Sequence, residues 1–330
     1  MVDLSKKRVI MIHGLASKPP EADVHELWSR CLIENIRISN KTLARALEQH
    51  PETLVHAYWA DATPHHVPDS PGYVRKLRVQ VDKVIEERRA ARDGFHVGTG
   101  ARVANFFKSR GLDLVNVFTQ ALTIKDDVMK RYLAEIRLYE QDQYIADEMR
   151  RRLELELMRA WDEGRDVAIL SHSMGTFISY DVLWRFSHRA VEPWRSYRRK
   201  RVQMFATMGS PLGDSEVRDL LFASHHSDKD KRAFPTNIDR WHNYACLGDI
   251  VSHDHDFDGD YFDEMKRLKL LPNSPKHRAI DYTNLHNPFE SVTHAGNKKS
   301  EKRNPHKSYG YLVQPRLGGW VTDFLLGRLK

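Results

Sequence analysis

The chain has 330 residues, 41% hydrophobic and 29% charged, with 52 Lys and Arg against 45 Asp and Glu for a formal charge of +7. That length allows one large domain or two small ones, able to bury a core without disulfides or metals. Seven Trp, 13 Phe and 12 Tyr exclude a disordered chain, which would be poor in aromatic side chains.

Lys6-Lys7-Arg8 followed by Val9-Ile10-Met11-Ile12 resembles the start of a signal peptide, but the apolar run stops at His13-Gly14, short of the roughly 7–15 residues such a core needs. The same run, β-branched and ending in a Gly turn, predicts a strand buried on both faces. A helical stretch follows over about 26–49, then a strand at 54–59. From 63 to about 139 the pattern is helical, with breaks near Pro64–Pro71 and Gly94–Gly100. A strong helix over 142–161 ends at Gly164, and Val167–Leu170 is another short apolar strand. Helix is expected from Ser173 to Phe186, strands at 203–208 and 242–247, and a weaker strand at 278–283. A last helix over about 309–329 contains Pro315 and Gly318-Gly319, which should break or delay it. Strands alternating with helices imply βαβ units and a mostly parallel sheet, an α/β fold. No stretch reaches the roughly 20 apolar residues of a membrane span. Cys31 and Cys246 are too few for a disulfide scaffold or a zinc-ribbon spacing. A soluble protein of the reducing, cytoplasmic compartment is the expectation.

Val167-Ala168-Ile169-Leu170-Ser171-His172-Ser173-Met174-Gly175 is the most informative stretch. A buried strand enters a tight turn at Ser173 and a helix begins at once: the nucleophile-elbow pattern G-x-S-x-G, with Ser171 in the place of the first Gly. Such a turn exposes the serine Oγ at the sheet's carboxyl edge and tolerates only small neighbours, a condition Ser171 meets. The helix that follows aims its N-terminal N–H groups at a developing oxyanion. The alternative for Ser173 is a helix N-cap without chemistry.

On these residues the chain resembles the α/β-hydrolases, in their lipase- and esterase-like branch. The resemblance covers about 1–60 and 142–330. It implies that His13-Gly14-Leu15-Ala16 is an oxyanion turn, with the backbone N–H of Leu15 or Ala16 facing that of Met174. It implies Asp249, in Gly248-Asp249-Ile250-Val251, as the catalytic acid, with Asp214, Asp254 and Asp256 as rivals. It implies His306, ahead of the last helix, as the base, with His294 as rival. Gly209-Ser210-Pro211-Leu212 also suits a lipase-like strand end. The order Ser, Asp, His is that of the family. His172 and His13 are expected to be structural, His172 pointing away from the cleft. The implied fold is an α/β-hydrolase core over 1–61 and 142–330, a mostly parallel sheet flanked by helices, with a helical cap or lid inserted over 62–141.

The inserted segment has Val103, Phe106, Phe107, Leu114, Val117, Phe118 and Ala121 at helical spacing, and between Ser70 and Leu112 ten Lys or Arg stand against four Asp or Glu. It reads as a cap packed on the core, as a lid selecting hydrophobic acyl groups, or as a basic amphipathic helix touching anionic membrane. Asp254, Asp256, Asp258 and Gly259 match the start of a calcium loop, but Met265 stands where its closing Glu should be; a solvated acidic loop is the plainer reading, and no metal or cofactor is expected. The function implied is a serine hydrolase of small-molecule or polymeric carboxylic esters, lipid-like or polyester-like. A thioesterase, an amidase, or a non-catalytic lipid- or partner-binding protein are the alternatives. No nucleic-acid motif accompanies the basicity.

Overall fold

The computed structural model describes residues 3–14, 18–64, 66–92, 94–95, 136–225, 230–249, 251–252, 257–270, 278–280, 285–290 and 304–329. Among them, six parallel strands form one sheet: β1 (Lys7–Ile12), β2 (Leu54–His56), β3 (Asp166–His172), β4 (Met204–Met208), β5 (Trp241–Tyr244) and β6 (Arg278–Ile280), in the order β2-β1-β3-β4-β5-β6. Val9–Ile12 and Val167–His172 are buried throughout. Unbroken apolar runs are what a sheet covered on both faces demands. The register pairs Ile12 with Ser171 and His172 with Met208, so the ends of β1, β3 and β4 lie level.

Helices α1 (Glu21–Ser39), α2 (Lys41–Gln49) and α3 (Pro71–Ala90) pack together with the late helices α6 (Ser308–Leu312) and α7 (Pro315–Leu325), while α4 (Gln143–Asp162) packs with α5 (Met174–His188). The β1-to-β2 and β3-to-β4 connections run in opposite directions along the sheet, so the right-handed crossover rule places α1 and α2 on one face and α5 on the other. Local chemistry sets several boundaries. Asn40, Ser70 and Asp142 accept backbone N–H bonds at the starts of α2, α3 and α4. The stretch expected as one helix over 26–49 is thus two, divided at Asn40.

The end of the chain departs from expectation in an instructive way. Pro315 starts α7 rather than delaying it, because its missing N–H is harmless in the first turn. Gly318 and Gly319 lie inside that helix. A Cβ on Gly318 would stand 2.6 Å from Asn35 Nδ2. Asn35 bonds the carbonyls of Leu312 and Gln314 and accepts from Arg88 Nε, tying α1 to α3 and to the α6–α7 junction.

Of the segment expected to be a cap, Leu77, Val81, Val84 and Ile85 of α3 belong to the common apolar core, as do Ile136 and Tyr139 in the helical residues 136–141. Tyr139 donates to the buried Asp181 of α5 at 2.7 Å and accepts from Arg150 Nε at 2.6 Å. Val103, Phe106, Phe107, Leu114, Val117, Phe118 and Ala121 lie outside the described residues.

Candidate active site

From β1 the chain moves outward to β2, then crosses back to β3 on the other side of β1. The connections leaving β1 and β3 therefore depart in opposite directions. In open parallel sheets this reversal opens a crevice at the strands' carboxyl ends, where ligands bind. Gly14 follows β1 at that crevice, and Ser173 follows β3.

Ser173 has φ 54° and ψ −128°, a conformation side chains seldom adopt, at a cost of about 1–3 kcal/mol. Its surroundings hold it there. Its N–H donates to Met208 O at 3.0 Å, and Thr176 Oγ1 donates to its carbonyl at 2.7 Å. Two glycines let the turn meet β1: a Cβ on Gly14 would lie 2.6 Å from Ser173 Cβ, and one on Gly175 would lie 2.5 Å from His13 O. The Gly of the first motif and the last Gly of the second are required by the same close approach. Ser171 is buried, and its hydroxyl donates to Ala206 O at 3.1 Å, so the residue replacing the usual Gly leaves no unmet polar group.

Ser173 Oγ lies 2.9 Å from His306 Nε2, and His306 Nδ1 lies 3.0 Å from each oxygen of Asp249. A carboxylate can only accept, so Nδ1 carries the proton and Nε2 accepts from the serine hydroxyl. Burial pushes the Asp249 carboxyl up, but the facing His306 and hydrogen bonds from His306, Tyr311 and the Val251 N–H outweigh it and hold the group at about 2. The Tyr311 hydroxyl donates to Asp249 Oδ2 at 2.6 Å and accepts from the Cys246 N–H at 2.9 Å. Gly209, at φ 56°, clears the space: a Cβ there would be 3.0 Å from Asp249 Oδ2 and 3.1 Å from His306 Nδ1. A serine hydroxyl on one imidazole nitrogen, with a buried carboxylate holding the other, is an arrangement that can yield its proton while attacking an electrophile.

Met174 begins α5, and its backbone N–H belongs to the first turn, whose amides have no carbonyl partner within the helix. Leu15 and Ala16 lie outside the described residues. His13 is buried and bridges β1 to the segment after β2: its Nδ1–H donates to Gly14 O at 2.8 Å, and its Nε2 accepts from the Trp59 N–H. His172 differs from expectation. Its ring does not point away from the site but lies 4.8 Å from that of His306, and Nε2–H donates to the His306 carbonyl at 2.6 Å. Burial holds the imidazoles of both His13 and His172 well below the usual range, so both are neutral.

Of the rival acids, Asp214 accepts from the Val217 N–H at 3.3 Å at the start of the short helix Ser215–Asp219. Asp254, Asp256 and the Asp258 side chain lie outside the described residues, and so does His294. Among the described residues no group of three or more His, Cys, Asp or Glu is placed to hold a metal ion. Sequence reasoning missed Tyr311 and the clearance at Gly209. Only Gly209 left a local signal, a glycine directly after a strand.

Comparison with protein-family models, curated proteins and solved structures finds no match to this chain.

Proposed function

We propose that the protein is a serine hydrolase of the α/β-hydrolase type, cleaving carboxylic esters with hydrophobic acyl groups. The observation that carries this reading is the hydrogen-bond chain Ser173 Oγ–His306 Nε2 and His306 Nδ1–Asp249, with each link at 2.9 or 3.0 Å. The position of Ser173 on a strained turn at the topological switch point supports it.

In this mechanism Ser173 Oγ attacks the acyl carbon as His306 Nε2 takes its proton. Asp249 holds the imidazole by Nδ1 and stabilises the imidazolium. The Met174 N–H, with that of Leu15 or Ala16, receives the tetrahedral oxyanion, each donor contributing on the order of 3 kcal/mol. Collapse expels the alcohol, protonated by His306, and leaves an acyl group on Ser173. Water then attacks with His306 as base, releasing the acid and restoring the serine. No cofactor enters these steps. Within this reading the inserted segment 62–141, whose α3 and residues 136–141 join the common core, carries the cap that selects the acyl group and whose basic residues can meet anionic membrane. Cys31 and Cys246, both free and buried, fit a cytoplasmic setting.

Ser173→Ala should lower turnover of p-nitrophenyl esters by at least about 10⁴-fold while leaving the melting temperature in place, and a fluorophosphonate probe should label the wild type alone. Equal turnover by the variant would remove Ser173 as nucleophile. A wild type that neither turns over esters nor takes the probe would favour a binding protein on the same scaffold.

A further inference from the structure

The histidine of the site sits on a loop, not on a strand or helix, so its rigidity must come from elsewhere. The carbonyls of Pro305, His306 and Lys307 all accept bonds from buried side chains. Asn287 Nδ2 donates to Pro305 O and to Lys307 O, both at 2.8 Å, and His172 Nε2 donates to His306 O at 2.6 Å. Asn287 is 2% exposed and His172 6%. The orientation of the Asn287 amide is set, because Oδ1 accepts from the Phe289 N–H at 3.0 Å. Its place exists only because residue 310 is glycine, where a Cβ would come within 1.6 Å of Oδ1. His172 is the last residue of β3 and the immediate neighbour of Ser173, so its bond links the backbone before Ser173 to the backbone of His306.

We infer that His172 and Asn287 are positioning residues, which set His306 Nε2 against Ser173 Oγ by holding three consecutive carbonyls of the loop that carries His306. The inference rests on the serine-hydrolase reading for its kinetic consequences but not for its geometry. Neither residue touches the reacting atoms, so losing one should move the base without changing the substrate's contacts. Misplacement of a catalytic group by about 1 Å can cost on the order of 100-fold in rate.

The test compares wild type, His172→Phe, His172→Gln and Asn287→Ser on p-nitrophenyl butyrate, with melting temperatures and the downfield imidazole Nδ1–H proton resonance of His306. His172→Phe keeps the ring and loses the donor, and should lower kcat by about 30- to 100-fold with KM within about threefold. His172→Gln places an amide N–H near the former Nε2 and should recover kcat to within about fivefold of wild type. The resonance should persist in His172→Gln and broaden or vanish in His172→Phe. Asn287→Ser, with its shorter side chain, should show the same kcat loss and carries the test should His172→Phe not fold. Wild-type kcat in His172→Phe would overturn the inference, and so would equal losses in the Phe and Gln variants. Where the wild type itself hydrolyses no ester and takes no fluorophosphonate, the hydrolase reading fails. The resonance then decides the positioning role alone: its loss in His172→Phe supports it, and an unchanged signal in that variant overturns it.

Discussion

At Asp249 a buried carboxylate stays charged because His306 Nδ1, the Tyr311 hydroxyl and the Val251 N–H all donate to it. Tyr311 contributes a hydrogen bond to a charged group, of a kind usually worth about 1.5–3 kcal/mol. Tyr311→Phe removes it and leaves the Cys246 N–H without an acceptor. We expect kcat/KM for p-nitrophenyl esters to fall about tenfold, and the urea midpoint to fall as well. The acid behaviour follows from the same bonds. The folded carboxyl titrates at about 2, below its ordinary 3.8, so the unfolded chain takes the proton first. The stability this confers is complete above about pH 4 and is lost as pH falls through about 2. In Tyr311→Phe the folded value moves back up, and acid unfolding should begin at a higher pH. Ser173 was legible in the sequence as a turn between a strand and a helix, and Asp249, beside Gly248 after a strand, was named with rivals through a resemblance. Tyr311 was not, because a tyrosine on a short buried helix resembles any core aromatic.

At the scale of the element, α7 separates propensity from packing. Gly318 and Gly319 are adjacent in one helix, and replacing a helical glycine by alanine ordinarily stabilises by about 1 kcal/mol. A Cβ at Gly319 meets nothing within 4 Å, whereas at Gly318 it would strike the Asn35 amide at 2.6 Å. Gly319→Ala should therefore raise the melting temperature and Gly318→Ala lower it, with calorimetry on the two variants as the check. Equal shifts would mean that Asn35 yields freely and does not fix the α1–α7 contact. Sequence reasoning treated the two glycines alike, as helix breakers. The difference between them comes from a residue on α1, far away in the chain.

At the scale of the whole molecule, three neutral imidazoles stand buried around β1, β2 and β3. Burial lowers His13 and His172 well below the usual range and brings His56 to about 3, with His25 and Lys18 adding to the effect on His56. Neither ring nitrogen of His56 has a hydrogen-bond partner among the described residues. The unfolded chain protonates all three near the ordinary histidine value of about 6.5, and the folded chain does not. Stability is therefore full above that pH and declines below it, with a limiting slope of about 4 kcal/mol per pH unit once all three titrate. Urea midpoints at pH 7.5 and 5.5 should show the decline. His56→Phe, which leaves no orphaned group behind, should remove about a third of the slope.

The sequence by itself determined the α/β class, the parallel sheet and the strand–turn–helix passage at Ser173, while Asp249 and His306 entered only through a resemblance that left rivals open. The class, the sheet and the turn follow from local causes: unbroken apolar runs and glycines beside turns. Only the tertiary structure decided that Gly14 and Gly175 are required by the same contact between two strand ends. Likewise, only the structure turned His172 toward His306, set Tyr311 on Asp249, and joined α3 and the residues 136–141 to the common core. Each of those facts depends on groups distant in sequence approaching within a few ångströms, and a linear pattern records periodicity and turn chemistry but not what a side chain meets after the sheet has closed.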